Sequence, residues 1–296
     1  MPRDKPAAGP GPQTYDELRQ VLQDRVESFA PGQQRIARLL LTDPQGTAFR
    51  TIGQTAELAG VHQSSLVRFA STLGLKGYPS LVALCRDRLA AEAHLVSRFL
   101  NAERHHDSGQ LLQETVGHEQ ENLVRTFTRI TSQQWDETVN LVSAADRVHV
   151  MGLRKCLPVA QLLTYLLSLV RPDVRLVAPV TGMLVDDLRA LRPGEVFIAV
   201  SLYRYTSDTV TALDYARDAG LHTVALTDSA ASPLAKSADI HYIVDCDGVT
   251  ILKSISAFIS LVQALATAVG IRNGTRSRDE LLTDERILDQ FSVYDD

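Results

Sequence analysis

Near residue 146 the chain changes texture. Before that point apolar residues recur at helical spacing; after it, short apolar runs alternate with amphipathic stretches of helical length. The runs lie at 147–151, 174–178, 195–201, 222–227 and 240–244. Such alternation predicts a parallel sheet with helices on both faces. Five strands suit a flavodoxin-like, doubly wound sheet, in which ligands bind outside the carboxyl ends of the strands. The expected fold class is therefore an all-α domain followed by a five-stranded parallel α/β domain.

In the first half, Leu18, Val21, Leu22, Val26 and Phe29 predict a helix over 15–29, broken at Pro31-Gly32. A second helix is expected at 33–42, ending at Asp43-Pro44. A third runs over 51–59 to Gly60, and a fourth over 63–73 to Gly74. A fifth starts at Pro79, and a long helical stretch covers 110–142. Residues 1–13 are rich in Pro, Gly and charge and lack the apolar core of a secretory signal, so they predict a loose tail. No apolar run reaches the ~18 residues needed to span a bilayer. Cys85, Cys156 and Cys246 are few, odd in number and far apart. They argue for a reducing cytoplasm and against a disulfide framework or a structural zinc site. The expected organisation is a tail at 1–13, a DNA-binding domain at 14–91, a helical linker at 92–126, an effector domain at 127–274 and a C-terminal tail at 275–296.

The net charge of −5 hides an uneven distribution. Residues 28–90 carry Arg35, Arg38, Arg50, Arg68, Lys76, Arg86 and Arg88 against Asp43, Glu57 and Asp87, a local +4 on an otherwise acidic chain. A basic module of this kind suits DNA, because neutralising phosphates supplies most non-specific affinity. Within it, residues 52–78 have the pattern of a helix-turn-helix. Ala56 and Ala59 permit close helix approach, and Gly60 permits the left-handed turn. Val61 and Leu66 face the core. His62, Gln63, Ser64, Ser65 and Arg68 are then left on the outer start of the second helix, with Lys76 beyond it, where base edges and phosphates would lie.

This segment resembles the RpiR family of regulators. The family's run supplies Leu58-Ala59, Gly60-Val61, Val67-Arg68-Phe69, Leu73-Gly74 and Lys76-Gly77-Tyr78. His62 departs from it, since the family has a serine N-cap there and imidazole caps less well. From 146 to 270 the chain resembles the sugar-isomerase-like (SIS) domain, most closely in Thr227 to Asp239, TDSAASPLAKSAD. The two loops that hold phosphosugar in that family are altered. The G-x-G-x-S loop reads Gly152, Leu153, Arg154, Lys155, Cys156; the S-x-S-G-x-T loop reads Ser201, Leu202, Tyr203, Arg204, Tyr205, Thr206.

The resemblance places Gly152, Arg154, Lys155, Ser201, Tyr203, Arg204 and Thr206 at the crevice between strands one and three. Guanidinium forks suit a carboxylate or phosphate. Thr206 is expected to cap the helix that follows, and Arg204 to approach Asp228 if no ligand is held. The implied effector is a small anionic metabolite, a sugar phosphate or sugar acid. The runner-up is a phosphosugar isomerase with an accessory helical domain, and third is a ligand-independent DNA-binding protein. Isomerase chemistry needs a general base. His149 lies inside strand one, and His222 and His241 lie at the wrong ends of their strands. Cys156 beside Lys155 reads as a packed thiol more readily than a thiolate. His105-His106-Asp107 lacks metal-ligand spacing. The expectation is a regulator without catalytic residues, metal or cofactor. It binds an operator in double-stranded DNA as a homodimer or homotetramer and has no membrane segment.

Overall fold

The computed structural model describes residues 11–93, 95–103, 108–178 and 184–294. It divides into two units, Met1–Arg98 and Phe99–Asp296. His105, His106 and Asp107 lie outside the described residues.

The first unit is helical. Helix α1 (Tyr15–Arg25) is capped by Thr14, whose hydroxyl accepts from Glu17 N. It ends four residues earlier than the periodicity predicts and gives way to a 3-10 turn, Val26–Ser28. Helix α2 (Pro31–Thr42) begins two residues earlier than expected, on the proline read as the break after the first helix, because a first-turn Pro has no N–H to leave unpaired. Asp43 then caps a short helix, α3 (Pro44–Phe49), by accepting from Gly46 N at 2.8 Å. The sequence reading missed α3 because Asp-Pro signals a stop as clearly as a start. Helices α4 (Ile52–Leu58), α5 (Gln63–Thr72) and α6 (Tyr78–Ala93) follow as expected. Leu18, Leu22, Ile36, Leu40, Leu66, Phe69 and Leu81 are fully buried among them. Pro12 is buried too, and Gly11 backs onto Gly74 so tightly that a Cβ would meet its carbonyl at 2.6 Å. Gly11 and Pro12 are therefore packed, contrary to their expected place in a loose tail, while Gln13 is exposed.

Helix α7 (Leu95–Glu103) crosses the boundary between the units. The stretch expected to be one helix over 110–142 is two, α8 (Ser108–Arg129) and α9 (Ser132–Ala144). Thr131 separates them and caps α9 by accepting from Gln134 N.

The second unit holds β1 (Val148–Gly152), α10 (Leu157–Val170), β2 (Val174–Val177), α11 (Leu184–Arg189), β3 (Val196–Val200), α12 (Ser207–Asp218), β4 (His222–Thr227), α13 (Pro233–Ser237) and β5 (Ile240–Ile243). The strands are all parallel in the order β2-β1-β3-β4-β5. This is the flavodoxin-like order, with its switch point between β1 and β3. The central strands are apolar on both sides, as a covered parallel sheet requires. Val148, Val150, Val196, Ile198 and Val224 pack toward α9, α10 and α14 (Ser256–Asn273). Met151, Phe197, Ala199 and Ala225 pack toward α11, α12 and α13. Helix α15 (Thr275–Gln290) follows Gly274 and packs on α10, so most of the expected C-terminal tail is helical.

At the amino end of the sheet, buried His149 bonds through Nε2 to Glu195 Oε2 at 2.8 Å. Burial, the largest influence, holds the His149 pKa below its ordinary 6.5 despite the carboxylate. The native imidazole is thus neutral and donates to Glu195. The unfolded chain takes up a proton near pH 6.5 that the native state refuses, so this contribution to stability falls as the pH drops below that value. The melting temperature should decline between pH 7 and pH 5, and His149→Gln should flatten that decline. An unchanged slope in the variant would remove His149 from the account.

Candidate functional site

Two surfaces hold the residues singled out from the sequence, one in each unit. In the first, α4 and α5 form a helix-turn-helix. Thr51 caps α4 in a capping box with Gln54. Gly60 takes φ +60 at the turn, and Val61 N closes back onto Ala56 O at 2.9 Å. Arg35 of α2 clamps this turn: its Nε donates to Ala59 O and its Nη2 to Gly60 O, both at 2.9 Å. A cation on the last carbonyls of α4 satisfies them and complements the helix dipole.

His62 occupies the N-cap of α5 without a side-chain cap bond, in line with its poor capping. Ser65 N bonds the His62 carbonyl at 2.9 Å, which leaves the amides of Gln63 and Ser64 facing outward at the start of α5, where an anion is favoured. His62, Gln63, Ser64 and Arg68 are exposed and Ser65 is half-buried, so the five lie together at the outer start of α5. The Gln63 amide also lies over Gly53 of α4. Lys76 is exposed in the turn before α6. Val67 and Ser71, also exposed, extend the same face; their spacing of four from Gln63 and Val67 is the signal the sequence reading passed over. Tyr78 turns inward, and its hydroxyl meets Thr55 Oγ1 at 2.7 Å, so the end of the KGY motif is structural.

The local charge of +4 overstates what DNA can meet. Arg50 pairs with Asp43, Arg86 donates to Ala48 O at 2.8 Å, and Arg88 lies 4.5 Å over the Tyr15 ring. With Arg35 spent on the turn and Arg38 3.8 Å from Glu27, Arg68 and Lys76 remain exposed without a side-chain partner among the described residues.

In the second unit the crevice forms at the carboxyl ends of β1 and β3. Gly152 ends β1, where a Cβ would meet the Cys156 carbonyl at 2.7 Å and the Ala160 Cβ at 3.1 Å. Glycine is what lets α10 start so close to the strand. Arg154 then takes φ +55 in a 3-10 turn and stands exposed. Lys155 turns across the crevice and donates to Tyr203 O at 3.1 Å, joining the two altered loops. Burial lowers its pKa below the usual lysine value. Cys156 is buried, and burial pushes its thiol up to about 11, so it is a packed thiol.

On the β3 side, buried Ser201 accepts from Thr206 N at 3.4 Å. Thr206 occupies the N-cap of α12 but makes no side-chain cap bond, contrary to expectation. Its amide is held by Ser201 and its hydroxyl does not turn back over the helix. Arg204 is exposed and does not reach Asp228. Asp228 is held by other groups. It accepts from Tyr203 N at 3.2 Å, from the Tyr205 hydroxyl at 2.9 Å and from Lys253 Nζ at 3.2 Å. The Asp228 and Lys253 side chains are 1% and 11% exposed, so this is a buried ion pair. Burial opposes the Lys253 charge, but Cys246 and Asp228 outweigh it and raise its pKa. Lys253 escaped the sequence reading because it lies 25 residues beyond Asp228 and belongs to neither motif. The TDSAASPLAKSAD segment mostly builds its own loop. Ser232 caps α13, and Asp239 accepts from both Thr223 N and Thr223 Oγ1 at 2.8 Å.

The segment that carries Lys253 is laced to α8. Asn122 donates to Asp247 O at 2.7 Å and accepts from Asp247 N at 3.1 Å. Thr126 Oγ1 accepts from Asp245 N at 2.9 Å, Glu119 accepts from Ser254 Oγ at 2.7 Å, and Arg129 pairs with Asp245. The later half of the expected linker is thus part of the second unit.

The sequence profile of the helix-turn-helix domain of the rpiR family matches residues 17–92, and that of the SIS domain matches residues 141–268. The sugar isomerase domain of an RpiR transcription factor from Sphaerobacter thermophilus is 30% identical, with a TM-score of 0.57, covering 60% of this chain and 99% of that one. The transcriptional regulator HexR of Pseudomonas aeruginosa is 24% identical over 87% of this chain and 90% of its own. The NanR protein of Vibrio vulnificus, solved in complex with ManNAc-6P, shares the fold at 17% identity, with a TM-score of 0.60 over 93% of this chain and 98% of that one.

Proposed function

This chain belongs to the RpiR family of transcriptional regulators, and from that premise we propose that it is a cytoplasmic DNA-binding regulator whose operator affinity is set by a small anionic carbohydrate held in the SIS crevice. The observation that carries the ligand reading is the charge of the crevice. Lys155 and Lys253 line it, Arg154 and Arg204 stand on its two loops, and Asp228 is the carboxylate set against them. An anion is favoured there, and planar guanidinium groups suit a phosphate or carboxylate. Replacement of the small loop residues by Arg154 and Tyr203-Arg204 favours recognition by side chains over a wrap of backbone amides. The NanR complex with a sugar phosphate supports the same ligand class on the same fold.

DNA is read by Gln63, Ser64, Ser65, Val67 and Arg68, with His62 and Lys76 flanking. One recognition helix per chain binds weakly, so the acting species is a homodimer or homotetramer on a pseudo-palindrome, with half-sites about 10 bp or a multiple apart. Ligand anions compete with Asp228 for Lys253. Any shift of Lys253 passes along 245–254 to α8 through Asn122 and Thr126.

A thermal-shift screen of sugar phosphates and sugar acids tests the ligand class. A true ligand at about 100 times its Kd stabilises by about 2.7 kcal/mol. Lys155→Ala should abolish that shift, read against the variant's own unliganded melting temperature, which loss of the bond to Tyr203 O lowers. Flat melts with every compound, beside saturable DNA binding, would sink the ligand reading.

A further inference from the structure

Helix α15 carries its charges in the wrong order for a helix standing alone. Arg276 and Arg278 occupy its first turn, where the helix dipole favours acids. Asp284, Glu285 and Asp289 lie toward its C-terminal end, where the dipole favours bases. Asp279 and Glu280 add to the acidic stretch, and Arg286 is its base. None of these side chains has an ion-pair partner among the described residues. Arg276 even faces a cation: after burial, it is the main influence that depresses the pKa of Arg171.

The apolar residues are equally unpartnered. Ser277 is buried and its hydroxyl donates to Val170 O, which fixes the first turn to the body. Past it, Ile287 is 49% exposed in the last turns and Phe291, at the C-cap, is 72% exposed. Beside the first turns of the helix a groove of about 690 Å³ opens, lined by Val170, Thr267, Gly270, Ile271 and Leu281. Ile271 is 77% exposed in it. The helix cannot fill its own groove, because Phe291 lies ten residues, about 15 Å along a straight axis, beyond Leu281.

We propose that α15 is a self-association surface on which two copies of this chain lay their α15 helices antiparallel. Each basic first turn then meets the other copy's acidic stretch, and each apolar end closes the other's groove. A two-fold arrangement is self-complementary in this way, and it also sets the two helix dipoles in opposition. The surface gives a place to the two-copy reading above and rests on it.

Sedimentation of the full chain over a concentration series tests it. Arg276→Glu with Arg278→Glu, and separately Asp284→Lys with Asp289→Lys, should each weaken self-association at least about tenfold, or 1.4 kcal/mol. Mixing the two variants should restore it. Both variants improve the match to the helix dipole, so a lost association does not reflect a lost helix. Phe291→Glu is the variant that does not depend on this charge pattern and should weaken association likewise. Association unchanged in all three would overturn the α15 surface while leaving the two-copy reading intact. A wild-type chain that stays monomeric at every concentration, with or without DNA, would overturn both.

Discussion

Asp228→Ala should destabilise the second unit by about 3–5 kcal/mol, because it leaves Lys253 buried without its carboxylate. The same change strands Tyr203 N and the Tyr205 hydroxyl, which share that acceptor. For a unit of this size the melting temperature should fall on the order of 10 °C. Lys253→Met in the Asp228→Ala background should recover much of the loss, since an apolar pair can replace a buried ion pair at little cost. Denaturant unfolding of the single and double variants measures both numbers. A single variant as stable as the wild type would mean that the pair is hydrated and that Lys253 is not poised to exchange Asp228 for a ligand.

Arg68→Ala should weaken duplex binding by about 1–3 kcal/mol, roughly 5- to 150-fold. The expectation is large because Arg68 and Lys76 are the exposed cations of the helix-turn-helix without partners among the described residues. If the guanidinium meets phosphate, the loss is uniform across sequences and the salt slope drops by about one; if it meets a base edge, specificity relaxes at one position. Arg86→Ala is the control, since it donates to Ala48 O and should lower stability with little change in intrinsic affinity. Anisotropy titrations at two salt concentrations separate these outcomes. Equal affinities for wild type and Arg68→Ala would move the DNA surface away from α5.

The sheet was legible because its central strands are covered on both faces and so read as continuous apolar runs, and the helix-turn-helix because Gly60 and the alanines beside it admit few other folds. Charge was less legible. Arg35, Arg50, Arg86 and Arg88 count toward a basic module in the sequence but are engaged inside it, on carbonyls, a carboxylate and a ring. Helix α3 was missed because Asp43-Pro44 serves as the end of one helix and the start of the next. At the crevice, local reasoning paired Asp228 with Arg204, its neighbour across the two motifs. The long-range contact with Lys253 won because a buried carboxylate needs a cation that can be buried with it, and Arg204 stays in solvent. The Thr206 cap failed because Thr209 N bonds the Thr206 carbonyl, at 3.1 Å, and leaves the hydroxyl no amide to accept from.

Under the proposed function, an anion in the crevice and DNA on α5 are thermodynamically linked. Anisotropy titration of a labelled duplex from upstream of the gene, with and without the sugar phosphate or sugar acid that most raises the melting temperature, measures the linkage directly. The predicted result is a change in duplex Kd of about 5- to 150-fold, abolished by Lys155→Ala, with the compound's own Kd changed by the same factor when DNA is present. Identical duplex affinity in buffer and in saturating compound would contradict it.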